Sequence, residues 1–140
     1  MSYPKKTIIT EVGPRDGLQN EKEILSTDAK VKFIDQLTQA GFSQIEVGSF
    51  VSPKWVPQMA DTAEIYSRIQ KKPGVRYITL VPNQKGMEGA LASQVNSIAL
   101  FTAASESFTK KNINKTIDES IQEIREVTKT AKANKMWVRG

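Results

Sequence analysis

Short β-branched runs alternate along this chain with longer segments in which apolar residues recur every three or four positions. Thr7-Ile8-Ile9-Thr10-Glu11-Val12 reads as a first strand, stopped by Gly13-Pro14. Ser26 or Thr27 caps a helix with the apolar stripe Phe33, Ile34, Leu37 and Ala40, and Gly41 is its expected terminator. Gln44 to Gly48 is a second strand. Pro53 and Pro57 predict an ordered loop, not a helix, over Ser49 to Met59. A helix then starts at Asp61 or Thr62 and runs to about Gln70, and Lys72-Pro73-Gly74 turns into a strand from Val75 to Val81. A short helix from Gln84 to Ala92, a strand from Ser97 to Phe101 and a polar loop over Ala103 to Asn112 follow. The longest helix spans Ile117 to Ala133, with Ile117, Ile121, Ile124 and Ala131 on one face. Met136 to Gly140 begins a fifth strand.

Alternating β and α units of this size predict an α/β fold with a parallel sheet, about four β-α units plus the start of strand five. Periodicity alone does not separate a doubly wound sheet from a barrel. Either one gathers functional residues at the C-terminal ends of its strands. A complete (β/α)₈ barrel takes roughly 250 residues, so residues 1–140 are expected to be the N-terminal part of a single catalytic domain, truncated.

Composition narrows the function classes. With 39% hydrophobic and 25% charged residues, this is an ordinary soluble globular sequence. It has no cysteine, which excludes disulfides and zinc-thiolate clusters, and no histidine, which excludes His-based proton transfer and His metal ligation from this chain. The net charge of +5 is scattered and not gathered in a stripe, so a mildly basic enzyme is favoured over a nucleic-acid binder. The polar N-terminus, Met1-Ser2-Tyr3-Pro4-Lys5-Lys6, shows no signal-like apolar run, and no stretch is long enough to span a bilayer. No membrane partner is expected, and the expected compartment is the cytoplasm.

Five places carry possible chemistry. Arg15-Asp16, just past the first strand, offers a carboxylate suited to a hard divalent cation beside a permanently charged donor fork. The same two residues also suit a plain turn, with Asp16 bonding backbone and Arg15 solvated. Glu46 lies in an apolar strand and either faces solvent or is held inside by a partner, for which Arg15 is the obvious candidate. Trp55, between Pro53 and Pro57, stiffens a loop at the same strand end and is expected to be packed. Ala103 to Asn112 combines small residues with Lys110, Lys111 and Asn112. Arg139, on the fifth strand, points either inward or toward the helices. Shared placement at strand ends is what a barrel active site requires.

The segment Glu11 to Lys22 (EVGPRDGLQNEK), the loop Ser49 to Asp61 (SFVSPKWVPQMAD) and the run Ala103 to Asn114 together resemble hydroxymethylglutaryl-CoA lyases, members of a TIM-barrel metallolyase superfamily. The resemblance implies a (β/α)₈ barrel and metal-dependent retro-Claisen cleavage of 3-hydroxy-3-methylglutaryl-CoA to acetyl-CoA and acetoacetate. It implies Asp16 as a ligand of Mg²⁺ or Mn²⁺, Arg15 as the group that stabilises the enolate, and Glu46 as the superfamily glutamate. Gln19, Lys22, Asn112 and Arg139 match positions that line or support the pocket. The remaining ligands, two histidines and an asparagine, and a reactive cysteine belong to later strands. This chain alone is therefore expected to be inactive, and the complete protein to be a homodimer or higher oligomer. The rival readings are a Claisen-condensing synthase of the same superfamily and a non-catalytic half-barrel binding module.

Overall fold

In the computed structural model, which describes residues 3–140, five strands form one all-parallel sheet. They are β1 (Thr10–Glu11), β2 (Gln44–Ser49), β3 (Arg76–Leu80), β4 (Ser97–Ala99) and β5 (Trp137–Arg139). Their spatial order is their chain order, β1-β2-β3-β4-β5. A doubly wound sheet reverses direction part-way across; this one winds a single way, as barrels do. Met1 and Ser2, the start of the polar N-terminal run, lie outside the described residues.

Four helices cross back over the sheet: α1 (Thr27–Gln39), α2 (Thr62–Arg68), α3 (Gln84–Ala92) and α5 (Ile117–Ala133). The core lies between them and the sheet's outer face. There Ile45, Val47, Tyr77, Val81 and Ile98 from the strand segments meet Ile34, Ile65, Met87, Ala90, Val127 and Ala131 from the helices. Local signals explain the helix ends. The Ser26 side chain accepts a hydrogen bond from the Ala29 amide (3.3 Å), and α1 stops where Gly41 takes φ +95°, a conformation a Cβ would oppose. α5 opens on a reciprocal cap: the Glu119 amide donates to the Thr116 hydroxyl (3.1 Å), and the Thr116 amide donates to the Glu119 carboxylate (2.8 Å).

Several expectations are corrected. β1 pairs only through Thr10 and Glu11, and Ile8 and Ile9 are exposed, because β2 begins at Gln44 and offers the earlier residues no rungs. Ala103 to Asn112 is not all loop: α4 (Glu106–Ile113) occupies most of it. With Thr109 as its one buried residue, α4 has no apolar stripe to read. It is held by its ends instead: the Ser105 hydroxyl accepts from the Phe108 amide (3.3 Å), and the Glu106 carboxylate accepts from the Ile117 amide at the start of α5 (3.2 Å). On α5 the inward stripe is Ile117, Ser120, Ile124, Val127 and Ala131, while Ile121 is exposed. On α1, Ile34 and Leu37 face the core as expected, joined by Lys30, Val31 and Thr38, while Ala40 is exposed. Trp55 is 74% exposed rather than packed. Both the Trp55 and Val56 amides bond back to the Ser52 carbonyl, and this turn projects the indole outward.

The Glu119 carboxyl is held below its ordinary value, chiefly by the hydrogen bond from the Thr116 backbone. A carboxyl lowered in the folded state contributes stability above its unfolded pKa, and that contribution is lost as pH falls through the folded value. In a full-length protein carrying this sequence, Glu119→Gln is expected to retain the cap and remove that acid-side dependence. Thr116→Ala is expected to cost about 1 kcal/mol at neutral pH. Urea unfolding at several pH values checks both.

Candidate active site

Immediately after β1 the backbone makes a single wide turn, Gly13–Gly17, in which the amides of Arg15, Asp16 and Gly17 all point to the Val12 carbonyl. The turn lifts Arg15 and Asp16 to the C-terminal end of the sheet. Arg15 Nη1 donates to Asp16 Oδ1 (2.8 Å), and Arg15 Nε donates to Glu46 Oε1. Arg139, on β5, donates from Nη2 to Glu46 Oε2. Each oxygen of one carboxylate is thus taken by a different arginine.

Glu46 is fully buried, so the solvent-facing alternative fails. A buried carboxylate is costly unless it is paired, and here two cations compensate it. The geometry also reports the shape of the sheet. In a flat sheet β2 and β5, three places apart, would be roughly 14 Å from each other, with side chains pointing the same way. Glu46 and Arg139 meet because this face is concave and turns them toward each other. Arg139 therefore points inward and not toward the helices.

The arginine fork is only partly used. Arg15 Nη2 has no hydrogen-bond partner among the described residues, and neither has Asp16 Oδ2, on a side chain that is 57% exposed. An oxygen-rich ligand arriving at the strand ends meets an available N–H fork and an available carboxylate oxygen side by side. As a test of metal fit, Asp16 supplies one hard oxygen donor of the kind Mg²⁺ and Mn²⁺ prefer. Among the described residues no group of three His, Cys, Asp or Glu stands close enough to hold an ion. The chain offers one vertex of a coordination sphere.

Gln19, Lys22 and Asn112 are all exposed, and no hydrogen bond or ion pair joins them to the Arg15–Glu46–Arg139 cluster. Gln19 and Lys22 follow the Arg15–Asp16 turn, and Asn112 lies near the end of α4. A cavity of about 830 Å³ opens at the other end of the sheet, where Gln44, Arg76 and Trp137 line it. In β/α barrels that end serves stability and the C-terminal strand ends carry chemistry, so the arginine–glutamate cluster is the stronger candidate.

A second polar cluster went unread in the sequence. Lys30 on α1, only 2% exposed, donates to the Gln58 carbonyl (2.6 Å) and to both oxygens of Asp61 (2.9 and 3.1 Å). Its signal was available: Lys30, Ile34 and Thr38 share the i, i+4, i+8 line of a buried face. Gly48, at the end of β2, also has a fixed role. A Cβ there would lie 2.7 Å from the Thr62 hydroxyl, which bonds both the amide (3.1 Å) and the carbonyl (3.0 Å) of Ser49.

With this geometry in view, comparison with known proteins is decisive. The sequence profile described as HMGL-like matches residues 6–140. The chain belongs to the HMGL-like family. It is 57% identical over 139 residues to the mitochondrial hydroxymethylglutaryl-CoA lyase of Bos taurus, covering 99% of this chain and 43% of that protein. The crystal structure of the hydroxymethylglutaryl-CoA lyase from Pseudomonas aeruginosa matches with a TM-score of 0.93 and 51% identity, over 98% of this chain and 46% of the other. An HMG-CoA lyase from Acenitobacter baumannii, solved in complex with coenzyme A and 3-methylmalate, matches with a TM-score of 0.88 and 36% identity, over 94% and 43% respectively. The chain spans about half the length of these relatives. This HMGL-like chain is accordingly the N-terminal portion of a (β/α)₈ barrel, with five consecutive strands of its sheet in place.

Removing either arginine leaves the buried Glu46 charge half compensated. In a full-length protein carrying this sequence, Arg139→Met is expected to cost about 3 kcal/mol in urea unfolding. Combining it with Glu46→Gln should cost at least about 1 kcal/mol less than the sum of the single changes. Additive costs would show that the pair is not coupled.

Proposed function

We propose that the complete protein is a metal-dependent carbon–carbon lyase that cleaves 3-hydroxy-3-methylglutaryl-CoA to acetyl-CoA and acetoacetate. The observation that carries this reading is Arg15, held rigidly between Glu46 and Asp16 with part of its donor fork open at the strand ends. High identity to lyases over nearly the whole chain supports the same reaction class. The coenzyme A in the complex of a related lyase supports a CoA thioester as substrate.

In this reading the Arg15 guanidinium donates to the thioester oxygen. Breaking the bond between the thioester α-carbon and the carbinol carbon leaves an enolate, whose negative charge settles on that oxygen. A preorganised donor placed there stabilises the transition state more than the ground state. Glu46 keeps the fork aimed, and Arg139 offsets the second half of its charge. Asp16 would hold the divalent cation, Mg²⁺ or Mn²⁺, which when bound polarises the substrate's hydroxyl and carbonyl oxygens. Removal of the hydroxyl proton is assigned to a base outside this chain, because Glu46 is committed to two arginines. Gln19, Lys22 and Asn112 are assigned to substrate binding at the pocket rim, and Arg139 acts there by supporting Glu46.

Asp16→Ala, at an exposed side chain, is expected to lower kcat at least about 100-fold with little change in the unfolding midpoint. Arg15→Gln is expected to lower kcat comparably and to destabilise the protein as well, because it uncovers Glu46. Acetoacetate release from hydroxymethylglutaryl-CoA by the full-length protein, with Mg²⁺ or Mn²⁺ and after chelation, measures these effects. Near-normal turnover in either variant, or turnover indifferent to chelation, overturns the assignment.

A further inference from the structure

The Gln58 side chain is 4% exposed and spends both ends of its amide on one short segment of backbone. Its Oε1 accepts from the Leu25 amide (3.0 Å), and its Nε2 donates to the Glu23 carbonyl (2.9 Å). It imitates a neighbouring β-strand for residues 23–25. Gln58 is itself fixed, since its carbonyl accepts from buried Lys30, which also pairs with Asp61, while the Thr27 hydroxyl donates to Asp61 Oδ2 (2.9 Å). This bracket joins the loop after β2 to the loop after β1.

The segment it grips follows the Arg15–Asp16 turn directly. The first loop is braced at its near end by the Asn20 side chain on the Asp16 carbonyl (2.8 Å) and by the Glu21 amide on the Leu18 carbonyl (3.0 Å). Gln58 braces its far end at Glu23. Lys22 stands between the two braces, exposed and in no ion pair among the described residues. A lysine is a flexible point charge, and its reach is defined only as well as the backbone under it.

We propose that Gln58 is a positioning residue. By clamping Glu23 and Leu25 it holds the Lys22 ammonium at the rim of the site, where Lys22 meets an anionic group of the substrate, a carboxylate or a phosphate. This deepens the lyase reading and rests on it for the identity of the substrate. A contact made equally in ground and transition states moves KM and leaves kcat nearly unchanged.

The test uses a full-length lyase carrying this sequence. Gln58→Met keeps the approximate size and removes both hydrogen bonds. It is expected to raise KM for hydroxymethylglutaryl-CoA about tenfold, with kcat within about threefold, and to speed hydrogen exchange at the Leu25 amide. Lys22→Met should raise KM similarly, and the double variant should be no worse than Lys22→Met alone. Inhibition by free coenzyme A separates the two anions. If it weakens in step with KM, Lys22 meets a phosphate; if it is unchanged, Lys22 meets the acyl carboxylate. Should Gln58→Met fail to fold, Gln58→Glu replaces it. Its protonated carboxyl can both donate and accept, so KM should be near normal at low pH and rise as the group ionises. An unchanged KM, a fall in kcat alone, or additive costs in the double variant overturn the proposal. The exchange measurement stands apart from activity: a protected Leu25 amide in Gln58→Met refutes the clamp, whereas an unmutated protein without lyase activity refutes the function.

Discussion

A glutamate carboxylate with no access to water sits in the concave face of this sheet, and most of the candidate site follows from the need to compensate it. Glu46 cannot remain charged there without cations, and the two it finds come from opposite ends of the chain. One is Arg15 on the turn after β1, and the other is Arg139 on β5. Satisfying both draws the first turn and the fifth strand toward β2 and is compatible only with a curved sheet. The constraint also works outward. Arg15 gains a fixed orientation from Glu46, and with it a part of its donor fork that no group among the described residues occupies.

The two faces of the sheet do different work. Toward the helices the layer is apolar, with Ile45, Val47 and Ile98 packed under Ile34, Ile65, Met87 and Val127, and dispersion and burial favour it without naming a partner. On the concave side the groups are directional: Gln44 accepts from Thr10 (2.9 Å), and Glu46 accepts from its two arginines. Stability resides mainly in the first layer and specific geometry in the second. This separation lets chemistry vary on a barrel while the helices remain conventional.

Beyond the strand ends a third arrangement fixes the loops. Lys30, Asp61 and Gln58 form a buried bracket, and Thr62 closes the end of β2 against Gly48, where no side chain fits. Loops at an active site are usually its least rigid part. Here the loops after β1 and β2 are tied to each other and to α1, so Arg15, Asp16 and Lys22 stand on a braced platform.

Much of the fold was legible in the sequence. Alternating patterns gave the parallel α/β class, and the segments with strong periodicity or clear caps, Gln84–Ala92 and Ile117–Ala133, match the structure end to end. Gly41 and Ser26 act as the stop and start they resemble. The motifs around Arg15 and Trp55 pointed to the family. What the sequence left open depended on contacts between distant residues. Whether Glu46 faced water or arginine depended on sheet curvature, which no local pattern encodes. α4 escaped notice because its stability comes from caps and from α5, not from an apolar stripe. Trp55 looked like a core residue by type, but a turn at Ser52 turns it outward. Lys30 looked like surface by type, but Asp61 and the Gln58 carbonyl draw it inside. Local sequence determines periodicity and caps because these are short-range. Tertiary structure decides which charges are buried, because burial is a property of what the rest of the chain places around them.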